Sequence, residues 1–346
     1  MMLARILNGL DALRGRRSKG DHVDEIARLT EEVNRIKELL LIGRQVDLVD
    51  FGELRVFMYT DDLGYKQLGG RYKGFTPSPS SRDWAQPRRE PQARYDNTCE
   101  PLVSFLLSHY WVHSLDFAYF DIGCQYGTSA MATAQVILSS GNANHVYAFD
   151  PGMAGNLAAT NILLNKLQDI VTFERLGVSY DVYPGLVFID SGHSENNRLV
   201  NRGHDLTTLS YVAMCTSLDR YAEEKGISTN AIVKIDTQGG EPEVLKGMRR
   251  MMETYSTTML MEFAPHALQT RVQPIEWLAQ LSNEYALYEI RDIDIFLSPA
   301  HHVNPIRELG QFVAELTMRS EPYTDLLCLP KKLPGLDSLQ ARLKRT

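Results

Sequence analysis

Phe120-Asp121-Ile122-Gly123-Cys124-Gln125-Tyr126-Gly127 reads as a buried strand that ends on an acid and turns through glycines into a helix. One helix length later, Val146-Tyr147-Ala148-Phe149-Asp150-Pro151 repeats the strand and again ends on an acid. Strand, glycine turn, helix, strand is how a wound α/β sheet holds a nucleoside. Backbone approaches the ligand at the glycines, and the second acid accepts hydrogen bonds from ribose hydroxyls. The pattern D-x-G-x-x-x-G lacks the third glycine of the dinucleotide fingerprint. Asp121 also sets a carboxylate where a diphosphate would be repelled. A cationic, amino-acid-bearing nucleoside, S-adenosylmethionine, suits such a site. The plainer alternative is a structural turn of any α/β protein.

Outward from these phrases the alternation continues. Pro101 to Trp111 is apolar at helical spacing, Phe117 to Asp121 is the first strand and Thr128 to Leu138 the crossover helix. A helix over Ala154 to Leu167 and a strand over Ile170 to Leu176 follow. Such a series predicts a parallel sheet with right-handed crossovers. Residues 178 to 216 break the rhythm with extra strands near Val187 and Val212 around the polar run Ser191 to Asn197. Ala231-Ile232-Val233-Lys234-Ile235-Asp236 is a further buried strand ending on an acid, and Thr257 to Phe263 another, with Glu262 near its end. Late strands are expected at Tyr285 to Ile290, Ile293 to Leu297 and Asp325 to Leu329. Ligands of open α/β sheets bind outside the carboxyl ends of the strands, so Asp121, Asp150, Asp236 and Glu262 should share one rim.

The 346 residues, 44% hydrophobic and 23% charged, have an ordinary globular composition. A net charge of -7 argues against wholesale nucleic-acid binding. Cys99, Cys124, Cys215 and Cys328 form no C-x-x-C pair, so neither a zinc site nor a disulfide framework is expected, and a reducing cytoplasm fits them. Met1 to Leu13 is broken by Arg5, Asn8 and Asp11 and does not read as a signal peptide, and no apolar run reaches membrane-spanning length.

Residues 1–20 carry Leu3, Ile6, Leu7, Leu10 and Leu13 on one helical face ahead of Arg14, Arg16, Arg17 and Lys19. This basic amphipathic segment suits peripheral contact with an anionic membrane, or packing on a neighbouring subunit. Within residues 21–44, Ile26, Leu29, Val33, Ile36 and Leu40 form an a/d seam of roughly two and a half heptads. Self-association into a homo-oligomer through residues 23–40 is expected, with docking on the chain's own core as the alternative. Residues 45–98 are an N-terminal extension: strand-like residues near 45–60, then a long Gly-, Pro- and Ser-rich loop holding Arg71, Tyr72, Lys73 and Trp84. Residues 331–346 read as a basic C-terminal tail.

With these motifs in view, the chain resembles the FkbM family of S-adenosylmethionine-dependent methyltransferases, from about Glu100 to Pro330. The resemblance rests on Asp121-Ile122-Gly123 through Gly127 with Ala148-Phe149-Asp150-Pro151, and on Asn161 and Asn165. Its most specific phrase is Thr216-Ser217-Leu218-Asp219, then Val233-Lys234-Ile235-Asp236, Gly239, Glu241 and Val244-Leu245-Lys246-Gly247, and Thr324 to Pro330 looks like the family's last strand. Two departures stand out. The family's Asp-Val-Glu-Gly is Asp236-Thr237-Gln238-Gly239 here, and its usual Ala-Asn is Cys124-Gln125.

The resemblance implies a Rossmann-like class I methyltransferase sheet over residues 99–330 and methyl transfer, most often to a hydroxyl. Asp121, Gly123, Gln125, Gly127, Thr128, Asp150 and Pro151 are then the cofactor-binding candidates. Asp236 is the first candidate for the base or hydroxyl orienter, followed by Glu262 and His266, while Glu241 is either catalytic or a helix cap. No tight ligand spacing among these residues, or at His301-His302, suggests a metal. A sugar or polysaccharide hydroxyl is the preferred acceptor. Two other readings stay open: a nicotinamide-dependent oxidoreductase, and a coiled-coil scaffold carrying a degenerate enzyme marked by Gln238.

Overall fold

The computed structural model describes residues 46–51, 54–59, 99–188, 198–200, 210–290, 303–319 and 322–344. The amphipathic segment, the a/d seam, the loop holding Trp84, the run Ser191 to Asn197, the strand expected at Ile293 to Leu297 and His301-His302 lie outside the described residues.

The glycine turn joins β3 (Phe117–Ile122) to α2 (Thr128–Ser140), and β4 (His145–Phe149), α3 (Ala154–Leu164) and β5 (Val171–Glu174) continue the winding. Before them stand the hairpin β1 (Val46–Phe51) and β2 (Leu54–Tyr59) and the helix α1 (Cys99–Val112). After them come β6 (Gly177–Val178), β7 (Tyr183–Phe188), β8 (Arg198–Val200) and β9 (Ser210–Thr216), then α4 (Leu218–Lys225) and β10 (Asn230–Ile235). The rest is α5 (Glu241–Gly247), α6 (Arg249–Thr254), β11 (Thr257–Phe263), α7 (Pro265–Leu268), α8 (Pro274–Glu284), β12 (Tyr285–Ile290), β13 (Val303–Pro305), α9 (Leu309–Thr317), β14 (Thr324–Pro330) and α10 (Leu336–Lys344).

The main sheet has the order β13-β12-β14-β11-β10-β3-β4-β5. Strands β11, β10, β3, β4 and β5 pair in parallel. β14 runs antiparallel between β11 and β12, so one reversed strand sits inside a wound sheet. This is the Rossmann-like wound sheet that the motifs predict. Its strands are near-continuous apolar runs because both faces are covered. Phe117 and Tyr119 enter one core with α1, α2, α3 and α10, while Ala118, Phe120 and Ile122 enter the other with α4, α5, α6, α8 and α9. The chain winds outward from β3 through β4 to β5, and on the other side from β10 to β11. The crevice where these directions diverge lies between β3 and β10.

Residues 178 to 216 form a second sheet in the order β6-β9-β7-β8. Its Val187 and Ala213 pack with Leu199 and Met153. Met153 follows Asp150 closely, so this inserted sheet borders the rim of the main one. The hairpin is joined to the domain at Asn165: the Arg55 N–H donates to Asn165 Oδ1 at 2.9 Å and Asn165 Nδ2 donates to the Arg55 carbonyl at 2.7 Å. α3 stops at Leu164, short of the Leu167 expected, because Lys166 takes a left-handed φ of 58°. The stretch read as a basic tail includes α10, whose Leu339 and Leu343 are buried in the first core. Lys331, Lys332, Arg342 and Lys344 gave it a basic look that hid the apolar stripe beneath. Among the described residues no helix is long and apolar enough to cross a membrane.

Candidate functional site

Register decides which side chains meet at the crevice. Asp121 pairs with Lys234 across β3 and β10 and with Ala148 across β3 and β4, and Lys234 pairs with Leu260 on β11. One alternation further along lie Asp150, Gly123, Asp236 and Glu262, with Asp325 opposite Glu262 on β14. Side chains two apart share a face. Val146, Ala148, Tyr119, Ile232, Leu260 and Leu327 all belong to the first core. The carboxylates of Asp121, Asp150, Asp236, Glu262 and Asp325 therefore stand on that same face, at the carboxyl end of the parallel strands. Gly123, which has no side chain, lets the turn after β3 close against the backbone of Asp236 in the middle of the row.

That close approach requires a glycine. Gly123 has φ 82°, and a Cβ on it would lie 1.9 Å from the Asp236 carbonyl oxygen. The turn is fixed from both sides: Gly123 and Cys124 donate to the Phe149 carbonyl at 2.9 and 3.0 Å, and Asp236 N–H donates to the Ile122 carbonyl at 2.9 Å. Gln125 sits at φ 50°, a left-handed conformation uncommon for a side chain of its size. The constraint comes from Asp150, whose Oδ2 accepts the Gln125 N–H at 2.8 Å and whose Oδ1 accepts the Gly152 N–H at 2.5 Å. Asn161, fully buried, donates to the Tyr126 carbonyl at 3.0 Å and holds the far end of the turn. Gly127 (φ 78°) and buried Thr128 begin α2, and Pro151 is half-buried beside Asp150.

Burial dominates the electrostatics. It pushes the Asp150 carboxyl up to about 6, the two backbone donors pull back against this, and the nearby charges of Asp121 and Asp236 add a smaller upward push. Burial, with help from Asp150 and Asp121, also pushes the Cys124 thiol well above its usual range, so Cys124 fills space in the turn and is no nucleophile. Asp121 is wholly buried, and Lys234 Nζ lies 3.8 Å from its Oδ1 and 3.8 Å from Asp236 Oδ2.

Asp236 stands at the mouth, its side chain 38% exposed. Its Oδ1 accepts from Gln238 Nε2 at 2.9 Å, and Gln238 holds a left-handed φ of 54° to reach it. Glu241, offered above as a catalytic alternative, faces inward. Its Oε1 accepts from the Thr237 N–H at 3.0 Å, the Thr237 hydroxyl at 2.9 Å and the Gly239 N–H at 3.2 Å. Buried in this way, Glu241 ties the loop after β10 into shape, and the structure gives it a supporting place rather than a reacting one. Glu262 is half-buried on the row beside Asp236, and His266 is exposed on the short helix α7 just beyond. α7 sits over the loop: a Cβ on Gly239 would lie 3.0 Å from the Ala267 carbonyl.

Lys234 was not singled out in the sequence. The signal was there, since a charge inside Ile232-Val233-Lys234-Ile235 interrupts an otherwise apolar buried strand. The left-handed Gln125 and Gln238 carried no such signal. Among the described residues no group of three or more His, Cys, Asp or Glu side chains is arranged to hold a metal ion.

Residues 121–291 match the model of the methyltransferase FkbM domain. Among solved structures, the chain is similar to a methyltransferase FkbM from Methylobacillus flagellatus, with 13% identity over 68% of this chain and 55% of that one, and a TM-score of 0.36. It is similar to WbdD at 15% identity over 78% of this chain and 47% of that one, TM-score 0.36. It is also similar to an O-methyltransferase family protein from Burkholderia thailandensis at 13% identity over 67% and 55%, TM-score 0.28. The chain thus spans about half the length of these three proteins. Among curated proteins none matches it.

Proposed function

Residues 121–291 match the methyltransferase FkbM domain, and from that premise we propose that the chain moves the methyl group of S-adenosylmethionine to a hydroxyl of a neutral saccharide. When bound, this cofactor supplies a methyl on a positively charged sulfur, which becomes neutral as the carbon–sulfur bond breaks with its electron pair left on sulfur. The residues present fit it. Asp150, whose two oxygens already anchor the turn, has lone pairs left for ribose hydroxyls. Asp121 and Asp236 supply the negative field that a cation needs.

Asp236 is the residue we assign to the acceptor. Gln238 fixes one of its oxygens and Lys234 faces the other, so the carboxylate is held in one orientation at an open position. It would take the hydroxyl proton as the new carbon–oxygen bond forms. Holding the hydroxyl in line supplies much of the rate enhancement. Glu262 and His266 are the next groups along the rim. The observation that carries the acceptor class is the side-by-side placement of Asp236, Glu262 and Asp325 on one face. Such a row offers acceptors to the adjacent hydroxyls of a sugar and repels phosphates and carboxylates.

The test is tritium-labelled S-adenosylmethionine with methyl glycosides, short neutral oligosaccharides, sugar phosphates and amines. Label is expected in a base-stable ether on the neutral glycosides. Asp236→Asn should lower transfer by about a hundredfold or more while S-adenosylhomocysteine affinity stays within about threefold. Label on amines or sugar phosphates, or unchanged transfer in the variant, would refute the assignment.

A further inference from the structure

Lys234 faces two of the carboxylates of the proposed cofactor site, Asp121 as well as Asp236. Its side chain is 8% exposed on a buried strand, a costly position for an ammonium group. It is held between Asp121 Oδ1 and Asp236 Oδ2 at 3.8 Å each, opposite Asp121 in the register of β3 and β10. Three carboxylates, Asp121, Asp150 and Asp236, lie close enough there to feel one another's charge. Taken without Lys234 they would present three negative charges to a ligand that is cationic at sulfur before transfer and neutral there afterwards.

A strongly negative site would bind the charged donor tightly in the ground state. The sulfur loses its charge on the way to the transition state, so that extra grip would be lost and the barrier raised. Within a buried crevice a single ammonium a few ångströms away shifts this balance, because charges interact far more strongly there than in water.

We infer that Lys234 is a specificity-determining residue that tempers the field of Asp121 and Asp236 and so sets the relative affinity for the charged donor and the neutral spent product. The inference rests on the methyl-transfer reading above, and needs no acceptor to be tested.

Calorimetric binding of S-adenosylmethionine and S-adenosylhomocysteine, at one ionic strength, to the full chain and to Lys234→Met gives the ratio of the two dissociation constants. The Met variant should shift that ratio toward S-adenosylmethionine by about tenfold. A merely structural lysine would weaken both ligands alike and leave the ratio unmoved, and that result overturns the inference while sparing the cofactor reading. If the wild-type chain binds neither ligand, the cofactor reading fails and the inference falls with it. Should the Met variant not fold, Lys234→Gln, which is polar and uncharged, carries the same comparison with the same expected direction.

Discussion

Replacing Asp150 with Ala tests the turn and the cofactor site together. The carboxylate accepts the Gln125 and Gly152 N–H groups, and burial raises it to about 6 from an ordinary 3.8. Its folded value lies above its unfolded one. The native chain therefore binds more protons than the unfolded chain between about pH 4 and 6, and the contribution of Asp150 to stability falls as pH rises through that window. At about 1.4 kcal/mol per unit the whole swing is at most about 3 kcal/mol, and between pH 4.5 and 7.5 it is about 2 kcal/mol. The Ala variant lacks this swing. Urea unfolding should therefore show wild type gaining on the variant by about 2 kcal/mol when pH is lowered from 7.5 to 4.5. The two orphaned backbone donors add a pH-independent cost of roughly 1–3 kcal/mol each, partly offset by the desolvation that the variant avoids. Binding moves the other way. Ribose hydroxyls donate to the ionised carboxylate, so wild-type affinity for S-adenosylhomocysteine should weaken below about pH 6. At pH 7.5 the variant should bind it more weakly by ~1.5–3 kcal/mol. A stability difference that does not vary with pH, together with unchanged affinity in calorimetry, would refute the place given to Asp150.

Gly123→Ala drives a Cβ into the Asp236 carbonyl from a left-handed backbone. We expect a loss of about 3 kcal/mol, read as a lowered melting temperature, and no S-adenosylhomocysteine binding; an unaltered melt would show that β3 and β10 do not approach so closely. Asn165→Ala removes the two bonds to Arg55 that join the hairpin to the domain. Amide exchange over Leu54–Tyr59 should accelerate by roughly ten- to thirtyfold, equivalent to about 1–2 kcal/mol of local stability, with β3 and β10 unaffected.

The wound part of the fold was legible because its signals are local. Apolar runs of strand length, each with an acid at or near its end, fix β3, β4, β10 and β11, and the ends of β11 and β12 fall where the sequence puts them. The gathering of Asp121, Asp150 and Asp236 followed from the same rule, since parallel strands end at one rim. What stayed hidden depends on distant partners. Nothing within Thr324 to Pro330 says that this strand runs backwards between β11 and β12, because either direction buries the same leucines. The inward turn of Glu241 is set by Thr237 and Gly239, and its residue type alone suits a rim acid equally well. Lys234 was legible in principle, as a charge in an apolar strand, but its two acidic neighbours appear only once register is known.

The reversed strand bears on how the protein is made. β11 and β12 are translated well before β14, yet they touch each other in the main sheet only through it. Until β14 pairs with them, both carry an open edge of unsatisfied backbone facing a slot meant for Leu326 to Leu329, all fully buried in the finished fold. Closing that slot is a late, long-range event, of the kind that slows folding and leaves nascent chains prone to pairing with one another. A chain cut before Thr324 would leave that slot empty, with two strand edges open beside it.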